Sequence, residues 1–237
     1  MIQIKIILVR PQHSGNVGAV ARAMYVCGLK ELHVVGSQDI LDDNAYTRAV
    51  KATDILDQAT IHHSLSNALQ GDSWTIVCSA RQRHLNFNTL LPEELVFLPY
   101  KLPKNSTVSI VFGPERTGLT GEEILMGNQL LSIPMEDLNT SYNLSHAVQL
   151  IGYFISRMPK DIPSLQSEPL IPHQQKQEWY QFINKTLIDS DFVMSSNPQH
   201  SLMLIKSIFN RLMLTENELN LLSGVFAKMK KNGRIQR

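Results

Sequence analysis

Four stretches of this chain combine glycine, small polar residues and arginine in the way a ligand pocket requires. The first is Pro11-Gln12-His13-Ser14-Gly15-Asn16-Val17-Gly18, running on to Arg22. The second is Ala80-Arg81-Gln82-Arg83, directly after Cys78 and Ser79. The third is Gly113-Pro114-Glu115-Arg116-Thr117-Gly118-Leu119, and the fourth follows Ile133-Pro134 and ends in Ser141-Tyr142-Asn143-Leu144-Ser145. Bare backbone at glycine lets a cofactor approach closely, and helix starts offer free N–H groups. Arginine holds phosphate through a planar fork of donors. One reading of Gly15-x-x-Gly18-x-x-Ala21, with Asp39 about twenty residues on, is a nicotinamide fingerprint. The full Gly-x-Gly-x-x-Gly is missing. Tyr100 and Lys104, a possible acid–base couple, are interrupted by Pro103. The nicotinamide reading is therefore the weaker alternative. No P-loop, His-Glu-x-x-His or Cys-x-x-Cys is present, so no metal site is expected.

Each of these stretches follows a short apolar run. Ile2–Val9, Leu32–Gly36, Thr75–Ser79, Val108–Phe112 and Leu130–Ile133 read as strands, apolar throughout as parallel strands covered on both faces must be. Helical periods lie at Asn16–Gly28, Ala45–Asp57, Ser64–Leu69, Thr120–Met126 and Asn143–Arg157, with Thr120 and Glu123 forming a capping box. The alternation predicts an α/β domain with a parallel sheet over residues 1–158, whose ligands sit at the carboxyl ends of the strands. Proline punctuates 159–172, which reads as a linker. Residues 173–237 read as a small helical domain of three helices, His173–Ile188, Pro198–Leu212 and Thr215–Lys230, the last opened by a second capping box, Thr215 with Glu218. Phe182, Leu187, Leu202, Ile205, Phe209, Leu219 and Leu222 are its expected core.

The chain has 237 residues, 43% of them hydrophobic and 18% charged, enough to bury a real core. A net charge of +1 leaves any nucleic-acid contact to local patches, such as Lys228, Lys230, Lys231, Arg234 and Arg237 in the tail, which read equally well as a solvated end. Cys27 and Cys78 match no metal or redox spacing and read as buried thiols in a reducing compartment. The N-terminus lacks the layout of a signal peptide, and no stretch reaches the roughly 20 apolar residues of a membrane span. A cytoplasmic protein with no membrane partner is expected.

Taken in order, the Gly15–Arg22, Phe112–Leu119 and Ile133–Ser145 segments resemble the three motifs of the SPOUT methyltransferases, in the branch that 2′-O-methylates RNA. Asn197-Pro198, Leu202-Met203, Phe209-x-Arg211 and Glu218-Leu219-Asn220-x-Leu222 resemble the helical extension of the TrmJ-type tRNA methyltransferases. This resemblance implies a sheet closed by a C-terminal trefoil knot, S-adenosyl-L-methionine (SAM) as cofactor, a homodimer, and tRNA as substrate. The implied target is the ribose of cytidine or uridine at nucleotide 32 of the anticodon loop, with another tRNA or rRNA site as the alternative. A related RNA-binding protein without catalysis would show a damaged first or third motif, and both are intact here.

By the same resemblance, Cys78, Ser79, Ala80, Gly113, Gly118, Leu119, Ile133, Ser141, Tyr142, Asn143 and Leu144 bind the cofactor. Arg22, Asn16, Ser141 and Asn143 serve catalysis, and Arg22, Arg81, Arg83, Glu115 and Arg116 meet RNA. Two residues depart from the family pattern: Tyr25 where a basic residue is usual, and Tyr142 where leucine is commoner. Without the motif, Arg22 is a surface helix arginine, Ser141 and Asn143 are a helix cap, and Glu115 is a surface carboxylate. His13 and His146 carry no assigned role. Methyl transfer needs an in-line nucleophile and a held cofactor. Arg22 takes the family's base position, yet a guanidinium stays protonated, its pKa above about 12. The expectation is that Arg22 holds the ribose and its phosphate, with phosphate or water accepting the proton and a flat pH–rate profile above neutrality.

Overall fold

A computed structural model describes residues 2–79, 89–136, 141–159, 168–190, 192–193 and 198–233. Ala80, Arg81 and Arg83, most of the expected linker, Asn197 and the tail arginines Arg234 and Arg237 lie outside the described residues. In chain order the elements are β1 (Gln3–Val9), α1 (Ser14–Val26), β2 (Glu31–Val35), α2 (Asp43–Ala49), α3 (Thr53–Asp57), β3 (Thr60–His62), α4 (Leu65–Ala68), β4 (Trp74–Cys78) and β5 (Thr89–Leu90). There follow α5 (Leu98–Lys101), β6 (Thr107–Phe112), α6 (Gly121–Ile124), β7 (Gln129–Leu131), α7 (Leu144–Ser156), α8 (His173–Asp189), α9 (Pro198–Asn210) and α10 (Glu216–Gly233). Among the described residues, seven strands form one wholly parallel sheet in the order β3-β2-β1-β6-β4-β7-β5.

Alternation along β1 divides the core. Ile6 and Leu8 join Val17, Val20 and Met24 of α1 and Val148 and Ile151 of α7 on one face. Ile7 and Val9 join Leu65 of α4, Leu69 just after it and Ile124 of α6 on the other. Both faces are covered, which is why the central strands β1, β6 and β4 are mostly apolar. Lys5 is the one buried charge within β1. Its ammonium donates to the Ala68 carbonyl at 2.7 Å and to Asp72 Oδ1 at 2.6 Å, while Ser109 donates to the other Asp72 oxygen. Burial pushes the Asp72 carboxyl up to about 6, against the pull of Lys5 and the Ser109 hydroxyl.

Gly18 lies where α1 crosses α2, and a Cβ there would overlap the Ala45 carbonyl. Gly18→Ala will therefore destabilise the fold by about 1–3 kcal/mol, read as a lower urea midpoint at unchanged slope. The helix expected over residues 45–57 is in fact two, α2 and α3, parted at Val50, whose φ is +58°. No glycine or proline marks that break. Edge strands β3 and β5 are three and two residues long, too short for a period to show. Both expected capping boxes form: Thr120 with Glu123, at 3.2 and 2.8 Å, and Thr215 with Glu218, at 3.4 and 2.8 Å.

The C-terminal helices enclose their own core of Trp179, Tyr180, Ile183, Leu187, Leu214 and Leu219. Leu202, Ile205, Phe209 and Leu222 pack against it as expected, but Phe182 faces outward, 37% exposed. Trp179, not among the expected core residues, lies buried edge-on to Phe209 at 4.9 Å. Asn210 fastens this unit to the sheet. Its amide donates to Leu125 O at 2.6 Å and accepts from Tyr180 Oη at 2.7 Å, and its carbonyl accepts from Asn128 at 2.8 Å.

Two histidines make the fold sensitive to acid. Burial, then Lys5 and His62, holds His33 down to about 4; burial, then Lys176, Lys206 and Lys5, does the same to His173. A folded pKa below the unfolded 6.5 contributes stability above pH 6.5 that is lost as pH falls from 6.5 toward 4. The loss is on the order of 1–3 kcal/mol for each ring. Asp72, raised to about 6, works in the opposite sense over part of the same range. Denaturation midpoints against pH will thus be flatter in His173→Gln than in the parent chain.

Candidate active site

The carboxyl ends of β6, β4 and β7, neighbours in the sheet, open into one pocket roofed by the start of α7. It encloses about 840 Å³ including its mouth, within the range of small-molecule sites. Its walls are Cys78 and Ser79 after β4, Phe112 through Gly118 after β6, Leu131, Ile133 and Met135 after β7, and Ser141, Tyr142, Leu144 and Ala147 at α7. The Gly113–Gly118 loop folds back on itself, with Gly118 N–H donating to Pro114 O at 2.8 Å and Gly118 at φ +67°. A Cβ on Gly113 would collide with the Leu119 backbone nitrogen. Only glycine permits that crossing, and it leaves bare backbone along the pocket wall.

Hydrogen bonds tie three separate segments together beside this pocket. Asn16, in the first turn of α1, donates its amide to Glu115 Oε1 at 2.9 Å and accepts from Asn143 Nδ2 at 3.2 Å. Glu115 Oε2 accepts the Gln12 N–H at 2.9 Å, and Gln12 Oε1 accepts the Arg116 N–H at 3.2 Å. Asn143 caps α7, its Oδ1 accepting from Ser145 N at 3.0 Å. Burial alone would raise the Glu115 carboxyl, but hydrogen bonds from Asn16, Gln12 N–H and its own N–H, with the charge of His13, bring it below the usual carboxylate range. It is ionised at neutral pH. Behind it, Arg10 pairs with Glu123 at 2.5 and 2.9 Å, joining the end of β1 to the cap of α6.

Of the residues expected to hold the cofactor, Cys78, Ser79, Gly113, Gly118, Ile133, Ser141, Tyr142 and Leu144 line the pocket. Asn143 stands beside it as the bridge to Asn16. Leu119 is buried in the core of the second sheet face instead. Glu115 and Arg116, expected to meet RNA, are in the pocket wall. Arg22 is exposed on α1, outside that wall, with no hydrogen bond or ion pair among the described residues. Glutamine carries no motif signal, and the role of Gln12 depends wholly on where its loop runs. Cys27 and Cys78 are free thiols, partly rather than fully buried: Cys27 sits against Gly152 and Gln149, and Cys78 is in the pocket.

The glycines of the supposed nicotinamide fingerprint do other work. Gly18 is a helix-packing residue, and Asp39 accepts from Ser37 Oγ at 2.9 Å in an exposed turn. The pocket is lined from β6, β4, β7 and α7, and the β1–α1 turn where that reading placed it only braces the wall from outside.

A parallel sheet with a glycine-lined pocket at three adjacent strand ends defines an α/β protein with a small-molecule site. The chain belongs to the SpoU rRNA Methylase family, which it matches over residues 3–153. Residues 174–237 match the C-terminal domain of the tRNA methyltransferase TrmJ. The tRNA (cytidine/uridine-2′-O-)-methyltransferase TrmJ of Photorhabdus laumondii is 33% identical over 233 residues, which cover 96% of this chain and 97% of that protein. The crystal structure of TrmJ from Z. mobilis ZM4 superposes with a TM-score of 0.81 at 24% identity, over 95% of this chain and 98% of the other, and so shares its fold. A probable methylase family protein from Haemophilus influenzae Rd KW20 is 29% identical with a TM-score of 0.61, over 99% and 98% of the two chains. These matches overturn the nicotinamide alternative.

Proposed function

We propose that this chain transfers a methyl group from SAM to a ribose 2′-hydroxyl of tRNA, at cytidine or uridine 32 of the anticodon loop. The observation that carries this reading is the Asn16 bridge, which joins all three motif segments at the pocket through Glu115 and Asn143. SAM supplies an activated methyl on a sulfonium centre. The residues present fit it: Leu131, Ile133, Leu144 and Ala147 offer apolar faces for a purine, while Ser79, Ser141 and the Gly113–Gly118 backbone offer polar ones. The ionised Glu115 adds negative charge toward a cationic cofactor. Its other task is to fix the Asn16 amide, so that the start of α1 keeps its position against α7. Arg22, one helical stretch further on, holds the ribose and its phosphate, and phosphate or water accepts the proton.

Homodimerisation and the trefoil knot belong to the same proposal. Tyr25 and Val26 on α1 and Tyr153 on α7 are 56%, 70% and 55% exposed, an apolar face that a second copy would cover. Arg22 shares the helix face of Tyr25 and Val26, three and four residues away, and then stands beside that interface. Tyr25 adds an exposed aromatic ring to this face. Residues 1–158 form the catalytic unit, 159–172 the linker and 173–237 the helical unit. No helix among the described residues is long and apolar enough to cross a membrane, which accords with a cytoplasmic enzyme. An rRNA target is the second reading, favoured by the rRNA methylase description of residues 3–153. Incubation with labelled SAM and, in parallel, bulk tRNA and rRNA from a strain lacking the modification, followed by mapping of 2′-O-methyl nucleotides, decides between them. Methylation at nucleotide 32 supports the first; label in rRNA alone supports the second; no transfer to either sinks both.

A further inference from the structure

Away from the pocket, the inward face of α8 carries His173, Lys176, Gln177 and Tyr180 at helical spacing, against the start of β4. His173 and Lys176 are only 5% and 4% exposed. The Lys176 ammonium lies 5.8 Å over the Trp74 ring. Lys206 of α9 lies 5.6 Å over the Tyr180 ring and donates to Gln177 Oε1 at 3.2 Å. His173 Nε2 and Gln177 Nε2 are buried without a hydrogen-bond partner. Among the described residues neither lysine has a carboxylate within ion-pair distance. Asp72 is committed to Lys5 and Ser109, and Glu122 of α6 acts on Lys206 only through longer-range attraction.

The balance of donors and acceptors is one-sided. The Lys176 ammonium, the Gln177 amide N–H and an imidazole that donates in its Nε2–H form share this helix face without a protein acceptor, and the Lys206 ammonium beside them has only the Gln177 amide oxygen. Aromatic faces offset only part of the cost of burying a cation. Burial correspondingly lowers the Lys176 ammonium to about 8 and draws Lys206 down as well. Buried polar groups are almost always satisfied, so an unanswered group points to something that answers it. We propose that His173, Lys176, Gln177 and Lys206 form a binding site for a phosphate group, entered past the partly exposed Gln177 and Lys206 and tying α8 and α9 to the catalytic sheet. A tetrahedral oxyanion supplies several acceptors and a negative charge at once, which matches this donor set. The phosphate is either free in solution or part of an RNA backbone.

Thermal unfolding of the full chain in sodium phosphate, against sodium chloride at equal ionic strength, tests this directly. With phosphate at about ten times its dissociation constant, Tm is expected to rise by about 3–6 °C. Lys176→Met and Lys206→Gln should each remove the rise; Lys206 is at the rim, so that variant keeps the test valid if Lys176→Met folds poorly. If free phosphate leaves Tm unchanged but Lys206→Gln weakens tRNA binding about tenfold and lowers the salt slope by about one, the site takes a backbone phosphate. That second arm alone rests on the function proposed above. A Tm rise that survives in Lys206→Gln overturns the proposal. Equal Tm in both salts with unaltered tRNA affinity in Lys206→Gln overturns it as well.

Discussion

Arg22→Ala will lower methyl transfer by about 10²–10³-fold, the usual cost of removing one group that holds charge at a reacting centre, while SAM affinity and Tm stay close to those of the parent chain. The separation follows from position. Arg22 is exposed on α1, makes no hydrogen bond or ion pair among the described residues, and is no part of the pocket wall. Its removal therefore leaves both packing and cofactor contacts intact. Single-turnover rates with saturating SAM and tRNA read the loss; calorimetric SAM titration and thermal unfolding read the two constants. Arg22→Lys keeps the charge but not the planar fork, so it should recover only part of the rate. The rate of the parent chain should stay flat from neutral to alkaline pH, since no titrating base is invoked. Full activity in Arg22→Ala would move the role elsewhere, with Arg116 in the pocket wall as the next candidate.

Asp72→Ala should cost about 3–5 kcal/mol, because it strands the Lys5 ammonium in the sheet. That pair is the charged centre of an apolar layer, with Lys5 and Asp72 only 6% and 2% exposed. Asp72 also receives the Ser109 hydroxyl, and its carbonyl accepts the His173 N–H at 2.8 Å, linking β1, β6 and α8. For a chain of this size the loss is about 6–20 °C in Tm. Replacing both partners, as in Lys5→Met with Asp72→Leu, removes the stranded charge and should recover much of it. Urea unfolding of the two singles and the double closes the cycle. A single-variant loss below about 1 kcal/mol would mean that water reaches Lys5 in the folded state.

The pocket residues were legible because each follows an apolar run and each carries a type with few other uses there. Gly113 and Gly118 mark a backbone crossing, and Asn143 reads at once as a cap and a pocket residue. Glu115 was legible only as a charge near RNA. That both its oxygens are spent on Asn16 and on the Gln12 N–H depends on two loops about a hundred residues apart meeting, which no local pattern encodes. The α2–α3 break escaped notice for a related reason: Ala45, Ala49, Ala52 and Leu56 keep helical spacing across it and all stay buried.

What the sequence by itself determined is the alternation of apolar strands and amphipathic helices, the capping boxes, the helical C-terminal unit and the order of the three motifs. Those follow from local propensity and periodic burial, which are written residue by residue. Tertiary structure alone decided the strand order β3-β2-β1-β6-β4-β7-β5, which sets the ends of β6, β4 and β7 side by side. It also decided that Gly18 serves helix packing, that Asn16 bridges Glu115 and Asn143, and that two lysines of the C-terminal helices lie over Trp74 and Tyr180. Each of these is a contact between residues distant in the chain. Its energy is realised only when the sheet closes and water leaves, so no window of sequence contains it.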